Sequence, residues 1–541
     1  MRIGLVQLNP NIGAFDTNYK KILNFIRKAE ERYIDILIFP EMVITGYPPQ
    51  DLLFNRSFVD KNLECLNKVA KEVSEKLYVI IGFVDKKDGK LYNSAAVLNN
   101  GKILEVRSKT LLPNYDVFDE VRYFTPANEN DPFDIYFGDR KLTIGVEVCE
   151  DLWDKHYDKK VTDELYKRGA ELVINISASP FTENKFDTRL NLIKEKVKKY
   201  KRPFILTNMV GSNSELVFDG NSIVMDCKGK IIGWGGEFVE TLEIFDLDID
   251  SFTGIEKKIN VSERIGRIYK ALIVGIHDYL HKTGFYKAVV GLSGGIDSSV
   301  VASLASEALG AENVLGVLMP SRYTSERSIE DAKTVATNLG IEYKIIPIED
   351  IFQSYKASLS EMLLGLKEDI TEENIQARIR GNILMAISNK FGYMVLSTGN
   401  KTEMALGYCT LYGDLSGGLA VISDINKLDV YELGRYFNKI KGGDIIPESV
   451  FTKKPTAELK FDQVDPFDYN IVSPLTDEII ESGRSVDELV EMGYDRELVV
   501  DIVKKIRKSE YKRRQAPPGI KITEKAFGMG RRYPIVNYFD G

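Results

Sequence analysis

Between an apolar run and a helical stretch the chain reads Gly291-Leu292-Ser293-Gly294-Gly295-Ile296-Asp297-Ser298-Ser299. Gly294 and Gly295 remove side chains, so backbone N–H groups can approach an anion. A helix N-terminus directly after them adds partial positive charge, and Ser293, Ser298 and Ser299 add hydroxyl donors. This is chemistry for holding phosphate. It is not a Walker A loop, because GxxxxGK[ST] is absent. Imidazole chemistry has few carriers: the three histidines are His156, His277 and His281, and none sits in HExxH. The four cysteines, Cys65, Cys149, Cys227 and Cys409, are far apart and form no CxxC pair. They read as reduced thiols, not as a disulfide framework or a zinc knuckle.

The elements that must carry this chemistry alternate along the chain. Strands are expected at Ile3–Leu8, Ile36–Phe39, Tyr78–Phe83, Ser94–Leu98, Leu142–Val148, Leu172–Ile176, Phe204–Asn208 and Ser222–Asp226. Asn99-Asn100-Gly101 and Lys228-Gly229-Lys230 read as hairpin turns, where φ > 0 favours Asn and Gly. Strands joined by hairpins with helices between them predict a layered α/β sandwich over residues 1–250. The polar, weakly periodic stretch Asp246–Ile259 holds the boundary. A second domain is expected over residues 260–541, opened by an amphipathic helix with Ile265, Ile268, Leu272 and Ile276 on one face. After it come strands at Lys287–Leu292, Val314–Met319, Glu342–Pro347 and Met394–Ser397, with helices between them. Such alternation predicts a parallel, doubly wound sheet. The last stretch carries Arg513, Arg514, Arg531 and Arg532, which read as a solvated basic tail or as a clasp for phosphate.

Composition narrows the function classes. The chain has 541 residues, 44% of them hydrophobic, with 72 Lys plus Arg against 80 Asp plus Glu and a net charge of −8. These values describe a globular protein and exclude disorder and collagen-like repeats. Mild acidity offers no basic footprint for nucleic acid. There is no run of about 18 apolar residues to span a membrane, and the N-terminus lacks the pattern of a signal peptide. The expectation is a cytoplasmic protein acting on small molecules.

The loop at Gly291–Ser299 resembles the pyrophosphate-binding loop of the N-type ATP pyrophosphatases, which adenylate a substrate and release pyrophosphate. Within that family four further blocks look like NAD synthetase: Glu373–Gly381, Ser397–Glu403, Tyr412–Asp414 and Lys454–Leu459. Tyr511-Lys512-Arg513 matches the closing basic motif. The resemblance implies that Gly291, Leu292, Ser293, Gly294, Gly295, Ile296, Asp297, Ser298, Thr398, Lys427 and Thr456 contact ATP. It implies that Asn374, Arg378, Glu403 and Lys512 contact the deamidated dinucleotide, and that Asp297 with Glu403 holds Mg²⁺. Two carboxylates beside a triphosphate suit a divalent cation lying between the like charges. Taken alone, Lys427 and Lys454 would read as exposed surface lysines. Leu411 and Gly418 depart from the pattern, standing where single-domain relatives carry a Lys and an Asp.

In the first half, Phe39-Pro40-Glu41, the block Arg107–Tyr115 with Lys109, and Gly145–Trp153 with Cys149 resemble the nitrilase superfamily of amidases. Each residue type has work in amide hydrolysis. Cys149 as thiolate attacks the carboxamide carbon, and Glu41 serves as general base for the thiol and then for water. Lys109 stabilises the oxyanion, and Glu120 resembles the supporting fourth carboxylate. Resemblance to the glutamine-using members adds Tyr115, Glu150, Ser179 and Lys185 as glutamine ligands. Lys185 replaces an Arg of some relatives, keeping the charge without the bidentate fork.

Together the chain resembles the two-domain, glutamine-using NAD synthetases. This implies a nitrilase-like αββα sandwich followed by a Rossmann-like, doubly wound domain of the adenine nucleotide alpha hydrolase type. It implies glutamine, ATP and deamido-NAD⁺ as substrates, Mg²⁺ as cofactor, an enclosed route for ammonia and a homo-oligomer. The alternatives are a GMP-synthetase-like ligase, a tRNA-modifying pyrophosphatase and a non-catalytic dinucleotide sensor. Intact Cys149, Lys109, Glu41 and Asp297 argue against the sensor.

Overall fold

The computed structural model describes residues 1–539. They divide into two compact units that meet in sequence at Ser262 and Glu263. In the first unit, β1 (Arg2–Gln7), β2 (Ile36–Ile38), β3 (Tyr78–Lys87), β4 (Lys90–Asn99) and β5 (Lys102–Ser108) are hydrogen-bonded in chain order. The other edge of this six-stranded sheet is β14 (Thr241–Asp246), antiparallel to β1 with Arg2 opposite Asp246. A second six-stranded sheet is built from β6 (Phe133–Phe137), β7 (Arg140–Val148), β8 (Leu172–Ser177), β9 (Phe204–Asn208), β12 (Ile223–Met225) and β13 (Ile231–Trp234), in the order β13-β12-β9-β8-β7-β6. A hairpin of β10 (Val210–Asn213) and β11 (Leu216–Asp219) completes the strands.

Strand alternation sorts the apolar residues into layers. Ile3 and Leu5, Ile36 and Ile38, Val146 and Val148, and Ile174 and Ile176 fill the space between the sheets. Their neighbours Val6 and Leu37 point outward under α1 (Phe15–Glu31) and α2 (Arg56–Lys71). Val173 does the same under α3 (Val161–Lys167) and α4 (Lys185–Tyr200). A strand with both faces covered reads as a continuous apolar run, as these do. Each such side chain contributes about 1.5–3 kcal/mol relative to exposure. The unit is an αββα sandwich.

Both expected turns form: Asn100 and Gly101 have φ of 49° and 72° between β4 and β5, and Gly229 has 82° between β12 and β13. The stretch Asp246–Ile259 is not an open linker. Phe252 is buried in the layer between the sheets, and the Lys257 amide donates to Ile231 O at 2.8 Å. One aromatic in a polar segment anchors it.

The second unit begins with α5 (Arg264–Lys282) and then alternates: β15 (Ala288–Gly291), α6 (Ile296–Leu309), β16 (Val314–Leu318), α7 (Glu326–Leu339), β17 (Glu342–Ile345), α8 (Glu349–Leu359), α9 (Ile370–Phe391), β18 (Met394–Ser397), α10 (Lys401–Leu406), β19 (Leu419–Ala420) and α11 (Lys427–Lys441). All five strands are parallel, in the order β17-β16-β15-β18-β19. The order reverses at β15, so a crevice opens where β15 and β18 end, the place where doubly wound sheets bind ligands. No helix of the described residues is long and apolar enough to cross a membrane.

Arg513 and Arg531 correct the reading of a solvated basic tail, while Arg514 and Arg532 are exposed. Arg513 is buried, donates to Met404 O and Ala405 O at 2.9 Å each, and pairs with Glu510. Arg531 also reaches Glu510, at 2.6 Å. Buried guanidinium groups need partners, and here Glu510 and the carbonyls at the end of α10 supply them. Farther on, Ala420 donates to Pro518 O, and Gly519 bridges Ala420 in parallel, extending the sheet. Thr523 donates through its hydroxyl to Asp424, and both contact the fully buried Lys401, at 2.8 and 3.1 Å.

Candidate active sites

In the first unit the ends of adjacent elements bring four residues together. Glu41 follows β2, Lys109 follows β5, Glu120 sits in a short turn and Cys149 follows β7. Close packing seats Glu41: a Cβ on Gly82 of β3 would lie 2.3 Å from Met42 N. Lys109 Nζ lies 2.9 Å from Glu41 Oε1 and 2.9 Å from Glu120 Oε1, and all three side chains are buried. Asn93 Nδ2 closes the ring from β4, donating to Glu41 Oε1 at 2.6 Å and to Glu120 Oε2 at 3.3 Å. The Ala178 amide donates to Glu41 Oε2 at 2.7 Å, and Tyr47 Oη donates to Glu120 at 3.0 Å.

Cys149 turns the chain sharply, with φ of 45° in the left-handed region. Such a conformation costs about 1–3 kcal/mol for a residue with a Cβ and persists where the surroundings over-determine it. Asp151 does so by accepting from the Thr110, Leu111 and Val148 amides at 2.8–3.1 Å. Asn175 Nδ2 reaches Cys149 O at 3.3 Å.

Electrostatics set the resting protonation. Burial, then the charge of Glu41, pushes the Cys149 thiol well above its ordinary range, with Lys109 opposing. Burial also works against the Lys109 ammonium, but Glu120 and Glu41 outweigh it and hold its pKa well above the usual lysine value. Burial raises Glu120, with Lys109 opposing and Glu41 adding to the rise. These effects together favour the neutral thiol, so a reaction at Cys149 Sγ calls for a base to take its proton.

Around this ring, Tyr115 Oη lies 3.1 Å from both oxygens of Glu150, and Tyr157 Oη donates to the same carboxylate at 2.9 Å. Ser179 is buried, and its amide donates to Asn208 Oδ1 at 2.9 Å. Lys185 opens α4 with its ammonium 4.1 Å from the Trp153 ring centre. Tyr47, Asn93 and Asn208 were not among the sequence candidates. Asn93 had a detectable signal, a polar residue two steps before the apolar run Ala95–Leu98 of β4.

In the second unit the crevice at the ends of β15 and β18 has a volume of about 340 Å³. Gly291, Leu292, Ser293, Asn374, Thr398 and Lys512 line it. The loop continues through Gly294, whose φ of 76° and the 2.1 Å from its built Cβ to Ser328 O admit no side chain. Ser293 Oγ and Ser298 Oγ lie 3.1 Å apart. Gly295 caps α6, which Ile296 begins.

Asp297 and Glu403 converge on one cation. Lys427 Nζ is 2.5 Å from Asp297 Oδ2 and 3.2 Å from Glu403 Oε1, and Asn400 Nδ2 donates to Asp297 Oδ1 at 2.8 Å. Burial raises Glu403 to about 7, with Lys427 opposing and Asp297 adding to the rise. Lys427 is buried, not a surface lysine. Among the described residues no group of three or more His, Cys, Asp or Glu could hold a metal ion. Two carboxylates that already share a cation nevertheless fit Mg²⁺, which takes one or two carboxylates and completes its shell with phosphate oxygens and water.

Two of the expected ligands, Arg378 and Thr456, lie outside the crevice lining. Arg378 is exposed, its Nε donating to Leu411 O, and does not line the crevice; Arg380 does, and burial lowers its pKa to about 10. Thr456 stays outside the lining, its Oγ1 accepting from the Glu458 amide. Lys454 is exposed, as a surface lysine would be, and it is the preceding Lys453 that pairs with Glu458 at 3.0 Å beside Ser328. Gly418 has no room for the acid of other sequences: a Cβ there would meet Met394 Sδ at 2.0 Å.

Comparison with known proteins matches each half to a family. The family described as carbon-nitrogen hydrolase matches residues 2–256, and that described as NAD synthase matches residues 268–516. The chain is 45% identical to a glutamine-dependent NAD(+) synthetase of Thermotoga maritima over 100% of this chain and 99% of that one. Identity to the protein of that name from Synechocystis sp. is 44% over 99% of both. Among solved structures, the glutamine-dependent NAD+ synthetase of Acinetobacter baumannii in complex with ADP superposes with a TM-score of 0.80 at 36% identity, covering 99% of this chain and 98% of that one.

Proposed function

The chain belongs to the glutamine-dependent NAD(+) synthetases, and on that footing we propose how its two sites divide the reaction. The enzyme is a carbon–nitrogen ligase. It amidates deamido-NAD⁺ to NAD⁺ with ATP and glutamine, and releases AMP, pyrophosphate and glutamate. This sets aside the GMP-synthetase-like ligase and the sensor.

In the first unit, Cys149 Sγ attacks the glutamine carboxamide carbon while Glu41 takes the thiol proton. Lys109 holds the oxyanion. Glu41 returns the proton to the departing nitrogen, ammonia leaves and a thioester remains. Glu41 then deprotonates water, which breaks the thioester to give glutamate and restores the thiol. Glu120 fixes Lys109, and Tyr115, Glu150, Ser179 and Lys185 receive the amino-acid end of glutamine.

In the second unit, the nicotinate carboxylate attacks the α-phosphorus of ATP, the bond to pyrophosphate breaks and an acyl-adenylate forms. Ammonia adds to its carbonyl carbon, AMP departs and a proton is lost. The loop Gly291–Ser298 cradles phosphate through backbone N–H groups, joined by Thr398, Thr456 and Lys427. Lys427 neutralises charge on the departing group. Asn374, Glu403 and Lys512 serve the dinucleotide, with Arg380 on the crevice wall in the place the sequence had given to Arg378. Asp297 and Glu403 would hold Mg²⁺, which supplies charge neutralisation on the phosphates when bound. The same reading makes the protein a cytoplasmic homo-oligomer, which agrees with its free, separated cysteines and rests for the assembly on family resemblance.

The observation that carries the division of labour is the buried ring in which one lysine joins two carboxylates beside a cysteine. Its chemistry makes ammonia from an amide and nothing else in the pathway. The test is NAD⁺ formation from deamido-NAD⁺ and ATP with glutamine and, separately, with ammonium. Both should yield AMP plus pyrophosphate. ADP plus phosphate would overturn the adenylation route.

A further inference from the structure

Asn93 has no part in the proton transfers above, yet it touches every member of the ring except the cysteine. Its Nδ2 donates to Glu41 Oε1 and Glu120 Oε2, and its backbone carbonyl accepts from the Lys109 amide at 2.8 Å. The amide can point only one way, since turned over its oxygen would face two carboxylates. In the orientation it has, Oδ1 is buried without a partner. An orphaned buried carbonyl carries a desolvation cost that an apolar side chain of similar size would avoid. What Asn93 donates, not how it packs, accounts for its presence.

The donation has a specific result. Oε1 of Glu41 receives two donors, Asn93 Nδ2 and Lys109 Nζ, which fill both lone pairs of a carboxylate oxygen. Oε2 receives one, the Ala178 amide, and keeps one lone pair open. We propose that Asn93 is a positioning residue that makes Oε2 the single proton acceptor for the Cys149 thiol by saturating Oε1 and fixing the carboxylate plane. This rests on the reading of Glu41 as general base. Without Asn93 the carboxylate has a second open site and one fewer restraint on its rotation.

The experiment is the pH profile of glutamine hydrolysis by Asn93→Ala and Asn93→Asp in the full-length chain. The groups facing Glu41 are Lys109, Glu120 and Cys149, with Tyr47 acting through Glu120, and all stay in place. Loss of a donor to an anion favours its protonated form. The acid limb of kcat/KM should therefore move to higher pH, further in Asn93→Asp, which adds a negative charge. The plateau should fall roughly 10–100-fold through kcat, a fraction of the usual general-base contribution, with KM for glutamine little changed. Tryptophan fluorescence reports whether each variant is folded. Asn93→Leu, uncharged and of similar size, is the fallback should the alanine or aspartate variant not fold, and its acid limb should move as in Asn93→Ala. A folded variant with an unmoved acid limb overturns the proposal. Glu41→Gln separates the two ideas: if it keeps hydrolysing glutamine, the base assignment fails, and if it is inactive while the Asn93 profiles stay put, only the role of Asn93 fails.

Discussion

Lys109→Met removes one charge from the ring and nearly preserves volume. The ammonium sits 2.9 Å from two carboxylates, and the three side chains are 1%, 0% and 6% exposed. Its loss leaves Glu41 and Glu120 facing each other, bridged by Asn93. Removing one partner of a buried ion pair costs about 3–5 kcal/mol, since the remaining charge is uncompensated. Bare Coulomb energies at these distances would overstate the effect. Protonation offers relief. Burial already lifts Glu120 above the usual range and Lys109 opposes that rise, so in the variant Glu120 rises further. A carboxylate whose folded pKa exceeds its unfolded value gives stability that is fully present below about 4.3 and is lost as pH climbs through the folded pKa. The penalty should thus be smallest near pH 4.5 and largest near pH 8. Both tryptophans, Trp153 and Trp234, lie in the first unit, so their fluorescence in urea follows that unit alone. Glutamine hydrolysis should fall by about 10²–10³ or more from the missing oxyanion donor. A stability loss under about 1 kcal/mol, equal at pH 5 and 8, would refute the electrostatic account. Lys109→Met with Glu120→Gln should recover most of the stability and none of the activity. If activity returns, Lys109 is structural.

Three further outcomes are expected. Cys149→Ala should lower glutamine-driven NAD⁺ synthesis by several orders of magnitude and leave ammonium-driven synthesis intact; parent-rate synthesis from glutamine would make Cys149 a core thiol. Asp297→Asn should lower NAD⁺ formation about 10²-fold or more with either nitrogen source, while glutamate release continues; near-normal synthesis would remove this carboxylate from the mechanism. Burial first, then Asp151, raises Glu147 to about 8. Its contribution to stability is present below about 4.3 and lost as pH rises through 8, so Glu147→Gln should flatten the decline of urea midpoints between pH 5 and 9, and an unchanged slope would place the titrating group elsewhere.

Much of this was legible in the sequence because chemistry at strand ends leaves contiguous traces. Glu41 and Cys149 each follow an apolar strand, Lys109 stands in a block of its own after the largely exposed β5, and Gly294 marks a loop that tolerates no side chain. What escaped was relational. Asn93 and Tyr47 reach Glu120 from 27 and 73 residues away, and no spacing rule connects them. Arg378 and Arg380 show the limit on a helix. Two positions turn a helix by about 200°, so only the rotation of α9 against the sheet decides which arginine meets the crevice. Lys453 and Lys454 differ in the same way, on a loop whose course local sequence does not determine. Arg513 looked solvated because its partners, the carbonyls ending α10, are invisible in a list of side chains.

The pairing of Arg2 with Asp246 has a consequence for how the protein is made. Synthesis runs from the N-terminus, and domains generally fold as units in that order. Once residue 246 is out, the first sheet has its last strand and the whole cysteine-bearing ring is present. The other unit is finished late, because Gly519 completes its sheet edge and Thr523 caps Lys401 between Asn400 and Thr402. A chain that stops anywhere in the second half before Gly519 therefore carries Glu41, Lys109, Glu120 and Cys149 on a complete set of first-unit strands, while the second sheet still lacks its edge.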